Sequence, residues 1–158
     1  SCLFKILISS MKPLQVWLDE YAESHQNPTN KAIHYLCVPV IFFTIIGLLM
    51  SIPPVFLQEI LPTGMAHWAT IAMVFAMIFY LRLSVLLALK MFVFAMGCII
   101  LNLFLSNYIP LFTFSIIVFA IAWIGQFYGH HVEGKKPSFF KDFQFLLIGP
   151  AWVMNKIF

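Results

Sequence analysis

From Lys12 to Glu23 the apolar residues Leu14, Trp17, Leu18 and Tyr21 recur at intervals of three and four, with Asp19, Glu20 and Glu23 between them. That period predicts an amphipathic helix, too short and too charged to cross a bilayer. Such a helix either lies flat on the cytoplasmic interface, with Trp17 and Tyr21 at headgroup depth, or docks on the rest of the fold. Residues 24–31, Ser-His-Gln-Asn-Pro-Thr-Asn-Lys, are polar and carry an Asn-Pro signal, which predicts a chain reversal.

Long apolar runs follow. Residues 32–51 make a first span with Pro39 as a kink inside it and Pro53-Pro54 as its stop. The connection 52–65 holds Glu59 and no basic residue, which suits the non-cytoplasmic side. A second span starts near Ala66, and Arg82 and Lys90 mark its return; residues 83–89 fit either neighbouring span or the surface. No formal charge occurs from Met91 to Tyr128, a stretch too long for one crossing and long enough for two, with Ser106-Asn107-Tyr108-Ile109-Pro110 as the turn. Residues 143–158 are apolar but short and interrupted by Gly149-Pro150, which predicts an interfacial or re-entrant piece.

The expected fold is therefore all-α, a single helical membrane domain over residues 1–158 with about four spans. Residues 12–31 form the interfacial helix and turn, 32–128 the spans, and 129–158 a cytoplasmic-rim site and C-terminal segment. Composition agrees: 62% of the residues are hydrophobic and only 9% charged, against roughly a quarter charged in soluble domains. A net charge of +3 is too small and scattered for a nucleic-acid surface. Lys5, Lys12, Lys31, Lys135, Lys136 and Lys141 read instead as orientation signals. Cys2, Cys37 and Cys98 imply no disulfide framework. Within residues 1–10 the run Ile6 to Ile8 is too short for a signal-peptide core, so none is expected.

The charge pattern breaks at Gln126-Phe127-Tyr128-Gly129-His130-His131-Val132-Glu133-Gly134-Lys135-Lys136-Pro137. With the spans alternating, His25, His34, His130 and His131 all fall at the cytoplasmic rim, whereas His67 opens the second span at the opposite face. Neutral imidazole is a common metal ligand, and histidines brought together from distant chain segments at the rim make a candidate transition-metal site. Successive helical side chains diverge by about 100°, so His130 and His131 share a metal only if the helix ends there, which Gly129 and Gly134 permit. Glu133 follows His130 by one helical step of three. It can complete the site, accept a hydrogen bond from a ligand histidine, or pair with Lys135 or Lys136. Spacing alone does not separate zinc from non-haem Fe(II). The many Phe and Met side chains fill helix contacts, face lipid and supply material for an acyl-chain cavity. Arg82 snorkels to the surface or holds a lipid carboxylate.

Tyr21, His25, Asn27, Asn30, His34 and Pro39, with Gln126, Gly129, His130, Glu133 and Pro137 downstream, resemble the small multi-pass membrane family that includes the fungal 2-hydroxy fatty acid dioxygenase. The resemblance runs from residue 14 to about residue 155. It implies an Fe(II)-dependent enzyme of fatty acid α-oxidation, which shortens a 2-hydroxy fatty acid by one carbon with O₂. His25, His34 and His130 carry over as iron ligands, with His131 as the candidate for a fourth position that the family pattern does not require to be histidine. Asn30 and Glu133 carry over as candidate catalytic residues. The partners implied are the 2-hydroxy fatty acid, O₂ and membrane lipid, in a bacterial inner membrane or an endoplasmic reticulum membrane. Two rivals stand beside this reading: a zinc-dependent membrane lipid hydrolase, and a non-enzymatic metal-binding membrane protein. Transport ranks last, because polar residues within the spans, such as Asn102, Thr113 and Ser115, are scattered.

Overall fold

The structure is a computed structural model that describes residues 13–62, 64–136 and 145–157. The expectations for residues 1–10, Lys12, Pro137 and Lys141 lie outside them. Among the described residues six α-helices occur in order: α1 (Leu14–Ala22), α2 (Pro28–Met50), α3 (Trp68–Leu83), α4 (Val85–Leu105), α5 (Leu111–Glu133) and α6 (Phe145–Ile157), with a 3₁₀ turn at Leu57–Glu59. No strand occurs among the described residues.

Three helices, α2, α4 and α5, are long and apolar enough to cross a membrane, where four spans were expected. The difference is α3, whose 16 residues reach only about 24 Å against a hydrocarbon layer of ~30 Å. It still runs the length of the bundle. Its start packs Ala69 with Ile46 and Ile99, while Tyr80 near its end packs with α1 and α6. The ambiguous segment 83–89 resolves at Ser84, the one residue between α3 and α4, whose hydroxyl accepts the Leu87 N–H at 3.4 Å. Residues from Val85 onward belong to the next span.

The Asn-Pro signal at 27–28 starts a helix rather than only reversing the chain. The Asn27 side chain accepts the Thr29 N–H at 2.8 Å, and Pro28 occupies the first helical position, where its missing N–H costs nothing. Helix α2 therefore begins four residues earlier than expected and runs on through Pro39.

Helices α2 and α5 make the most extensive contact in the bundle, and glycine allows it. Gly125 and Gly129 on α5 have the four-residue spacing that lets membrane helices approach closely. A Cβ on Gly129 would lie 2.5 Å from Asn30 Oδ1, and one on Gly125 would lie 3.0 Å from Cys37 Sγ. Gly47 on α2 repeats the device further along, against Ser115 of α5 and Asn102 of α4.

The short helices cap one end of this core. Trp17, Leu18 and Tyr21 are buried, and Trp17 meets Phe145 edge-on at 5.4 Å; α1 is docked on α6. Eight of the 13 residues of α6 are buried, and the helix continues through Gly149-Pro150. Gly149 sits beneath the Tyr21 ring, where a Cβ would come within 3.0 Å of the hydroxyl oxygen. The Tyr80 hydroxyl, from α3, donates to the Leu147 carbonyl at 2.8 Å. The C-terminal segment is thus a packed helix, buried by α1, α2 and α4 and tied to α3 through Tyr80.

Candidate metal centre

Three histidines meet under this cap. His25 stands in the link between α1 and α2, His34 in the second turn of α2, and His130 near the end of α5. All three are buried, at 0%, 1% and 5% exposure. Their ring centroids lie 4.2 Å (His25 to His34), 5.0 Å (His25 to His130) and 4.8 Å (His34 to His130) apart, each pair nearly perpendicular. One nitrogen from each ring lies within 4.8 Å of the others.

Each ring is oriented by its surroundings. His25 Nδ1 is 2.6 Å from the Tyr21 carbonyl, so Nδ1 carries the proton and donates; the ring also stacks on Tyr21 at 4.2 Å. His34 Nδ1 donates in the same way to the Asn30 carbonyl at 3.0 Å. That tautomer leaves Nε2 of both rings with a lone pair. His25 Nε2 and His130 Nδ1 are buried with no hydrogen-bond partner among the described residues. Orphaned buried polar atoms cost about 1–3 kcal/mol each, and two of them on neighbouring imidazoles are what a bound cation would satisfy. Burial pulls the His25 pKa down from 6.5 to about 4, so that ring is neutral and able to ligate at neutral pH. The donor set, three neutral imidazoles, fits Fe(II) and zinc alike.

Glu133 holds the loop that carries His25. Its carboxylate accepts the Gln26 and Asn27 backbone N–H groups at 2.9 and 2.8 Å, at the start of α2 where a negative charge is favoured. Asn30 Nδ2 donates to the same carboxylate at 3.2 Å and to the Ser24 carbonyl at 3.1 Å. Glu133 is not one of the clustered ligand groups. Lys135, read from sequence as an orientation signal, donates to the Glu23 carbonyl at 2.6 Å and closes the same loop.

The family described as 2-hydroxy-palmitic acid dioxygenase Mpo1-like matches residues 11–158. The chain belongs to the Mpo1-like family. No curated protein and no solved structure matches it.

In this Mpo1-like chain the structure brings together His25, His34 and His130 and leaves His131 out. Helix α5 continues through Glu133 and ends at Gly134, in the left-handed conformation at φ 71°. His130 and His131 therefore diverge, the first buried and the second exposed beside Lys135 and Lys136. His67 is remote from the cluster and caps α3, its Nδ1 accepting the Thr70 N–H at 3.2 Å. Sequence reasoning passed over Trp152, which lies 5.5 Å from the rings of both His25 and Tyr21. Its one signal was a tryptophan inside an apolar terminal segment.

Two cavities adjoin the triad. One, of about 210 Å³, is touched by His34 and His130 and runs between α2 and α5 under the start of α6, lined by Val38, Phe42, Trp123 and Phe145 among others. Gln126 adds a polar group there and lies beside His34. The second, of about 310 Å³, is touched by His25 and edged by Asp19, Gln26, Lys31 and Lys156. The histidines stand between an apolar space and a polar one.

Proposed function

We propose that this Mpo1-like chain is an Fe(II)-dependent dioxygenase that shortens 2-hydroxy fatty acids by one carbon, with O₂ as co-substrate. The observation that carries the reading is the buried triad His25, His34 and His130, with unpartnered nitrogens, at the head of an apolar cavity. The family's description names the same substrate class.

His25, His34 and His130 would hold the ion, and Fe(II) bound there would supply the one-electron chemistry by which O₂ reacts with a closed-shell acid. The chain's own residues do the rest. The Tyr21 and Asn30 carbonyls fix two ring tautomers. Glu133 and Asn30 anchor the His25 loop. Phe42, Trp123 and Phe145 exclude water from the space where an acyl tail fits. Gln126 offers an amide to the polar head of the substrate. A 2-hydroxy acid plus one O₂ balances as the shortened acid, CO₂ and water, so no outside reductant is required.

We place the site on the cytoplasmic side. Lys31, Arg82, Lys90, Lys135, Lys136 and Lys156 lie at the triad's end of the bundle, whereas the opposite connection holds Glu59 and no lysine or arginine. A zinc hydrolase is the second reading, because three protein ligands are also the pattern of catalytic zinc. Loading the purified protein with Fe(II) or zinc and supplying 2-hydroxypalmitate and, in parallel, lipid esters separates them. Oxygen-dependent formation of the fifteen-carbon acid with iron supports the dioxygenase; turnover of lipid esters with zinc and without O₂ replaces it with the hydrolase.

A further inference from the structure

The apolar cavity has a direction. Along α2 it is lined by His34, Phe42 and Ile45, and along α5 by His130, Trp123 and Phe119. With Val38 and Gln126, which also line it, both sets recur at three- and four-residue steps, the spacing of one helix face. From His34 to Ile45 is three turns, roughly 16 Å, and His130 to Phe119 is the same distance along the partner helix. The two helices leave the triad side by side, so the cavity is a groove with the histidines at one end and Ile45 and Phe119 at the other.

The far end is not closed. Ile45 is 41% exposed and lies within a helix long and apolar enough to span the membrane. Its exposed surface faces outward where lipid would surround the bundle. A tail that enters at the triad therefore meets the bilayer again at Ile45, with apolar side chains lining the way beyond Gln126.

Resting on the reading of the substrate as a 2-hydroxy fatty acid, we infer that its tail lies in this groove and leaves the protein sideways between Ile45 and Phe119. The groove then imposes no upper limit on chain length: carbons beyond Ile45 lie in the bilayer, as apolar as the groove itself. Ile45 is the residue at which a limit is created, because a large side chain there closes the exit.

Two measurements test this, and the first does not depend on turnover. Metal-free protein in lipid nanodiscs is irradiated with 2-hydroxypalmitate carrying a diazirine at its terminal carbon, and labelled peptides are mapped. Adducts on the segments around Ile45 and Phe119 support the inference whether or not the protein proves to be a dioxygenase. Adducts confined to outward surfaces such as Phe75 or Val93 overturn it. In the second, the kcat/KM ratio of 2-hydroxypalmitate to 2-hydroxylignocerate is compared between wild type and Ile45→Trp. We expect a shift of about tenfold or more toward the shorter acid, and none in Val93→Trp, whose side chain is exposed on α4. An unchanged ratio in Ile45→Trp overturns the sideways exit even if both acids are turned over.

Discussion

Glu133 accepts the backbone N–H of Asn27 at 2.8 Å, joining the end of α5 to the start of α2 across most of the chain. His25 lies two residues before Asn27 and His130 three residues before Glu133, so this contact, with those of Gln26 and Asn30 to the same carboxylate, ties two of the three imidazoles together. Glu133 is thereby a positioning residue for the triad.

Replacing Glu133 by Ala should free the His25 loop and weaken metal binding about 10–100-fold, the usual cost of losing a group that orients ligands. Glu133→Gln keeps one acceptor oxygen and should fall between the two. Calorimetric titration of the detergent-solubilised protein with Fe(II) under nitrogen gives the affinities. Unchanged affinity in both variants with activity lost would assign Glu133 to the chemistry instead of to the loop.

His25→Ala, His34→Ala and His130→Ala should each abolish stoichiometric metal, measured by elemental analysis of purified protein. His131→Ala should retain it, since that side chain is exposed and outside the cluster. His67→Ala should retain metal too and lose only a helix cap, about 1 kcal/mol. Loss of metal in His131→Ala would mean that the end of α5 rearranges to bring the fourth histidine in.

Gly129→Ala places a methyl 2.5 Å from Asn30 Oδ1, at the level of the triad. It should separate α2 from α5 there, with a lowered Tm and lost metal. Gly125→Ala, with 3.0 Å to the Cys37 thiol, should cost less, because the sulfur side chain can turn away. Equal and small effects on Tm would show that the two helices are not held this closely.

Acid should destabilise the metal-free protein through His25. Its pKa is about 4 in the folded protein and about 6.5 in an unfolded chain. Between those values the unfolded chain binds a proton that the folded protein does not, so stability falls as pH drops through that window and levels off below it. The Tm at about pH 5 should lie below that at about pH 7, and the difference should shrink in His25→Gln. An undiminished difference in the variant would place the acid sensitivity elsewhere.

The convergence of His25, His34 and His130 was legible because alternating apolar runs sort polar residues to two faces, whatever the packing inside. The exclusion of His131 was not. It depends on α5 running three residues past His130 before Gly134 ends it, and either glycine was compatible with a helix end. Breaker signals misled at two places: Pro28 lies inside a helix because a first-turn proline loses no bond, and Gly149-Pro150 because a buried helix is held by its neighbours. The extent of α3 was legible, from near Ala66 toward Arg82 against an observed Trp68–Leu83, but not that Ser84 alone would separate it from α4. Gly125 and Gly129 did carry a readable close-approach spacing, although which helix they admit is a fact of packing.

The most direct test of the central claim is oxygen uptake by Fe(II)-loaded protein given 2-hydroxypalmitate in nanodiscs, with no reductant and no 2-oxoglutarate added. Oxygen consumed and fifteen-carbon acid formed should match mole for mole, with label from ¹⁸O₂ in the new carboxylate, and both should vanish in His34→Ala. Product formed without oxygen, or oxygen uptake that requires an added reductant, would contradict a dioxygenase whose substrate supplies every electron.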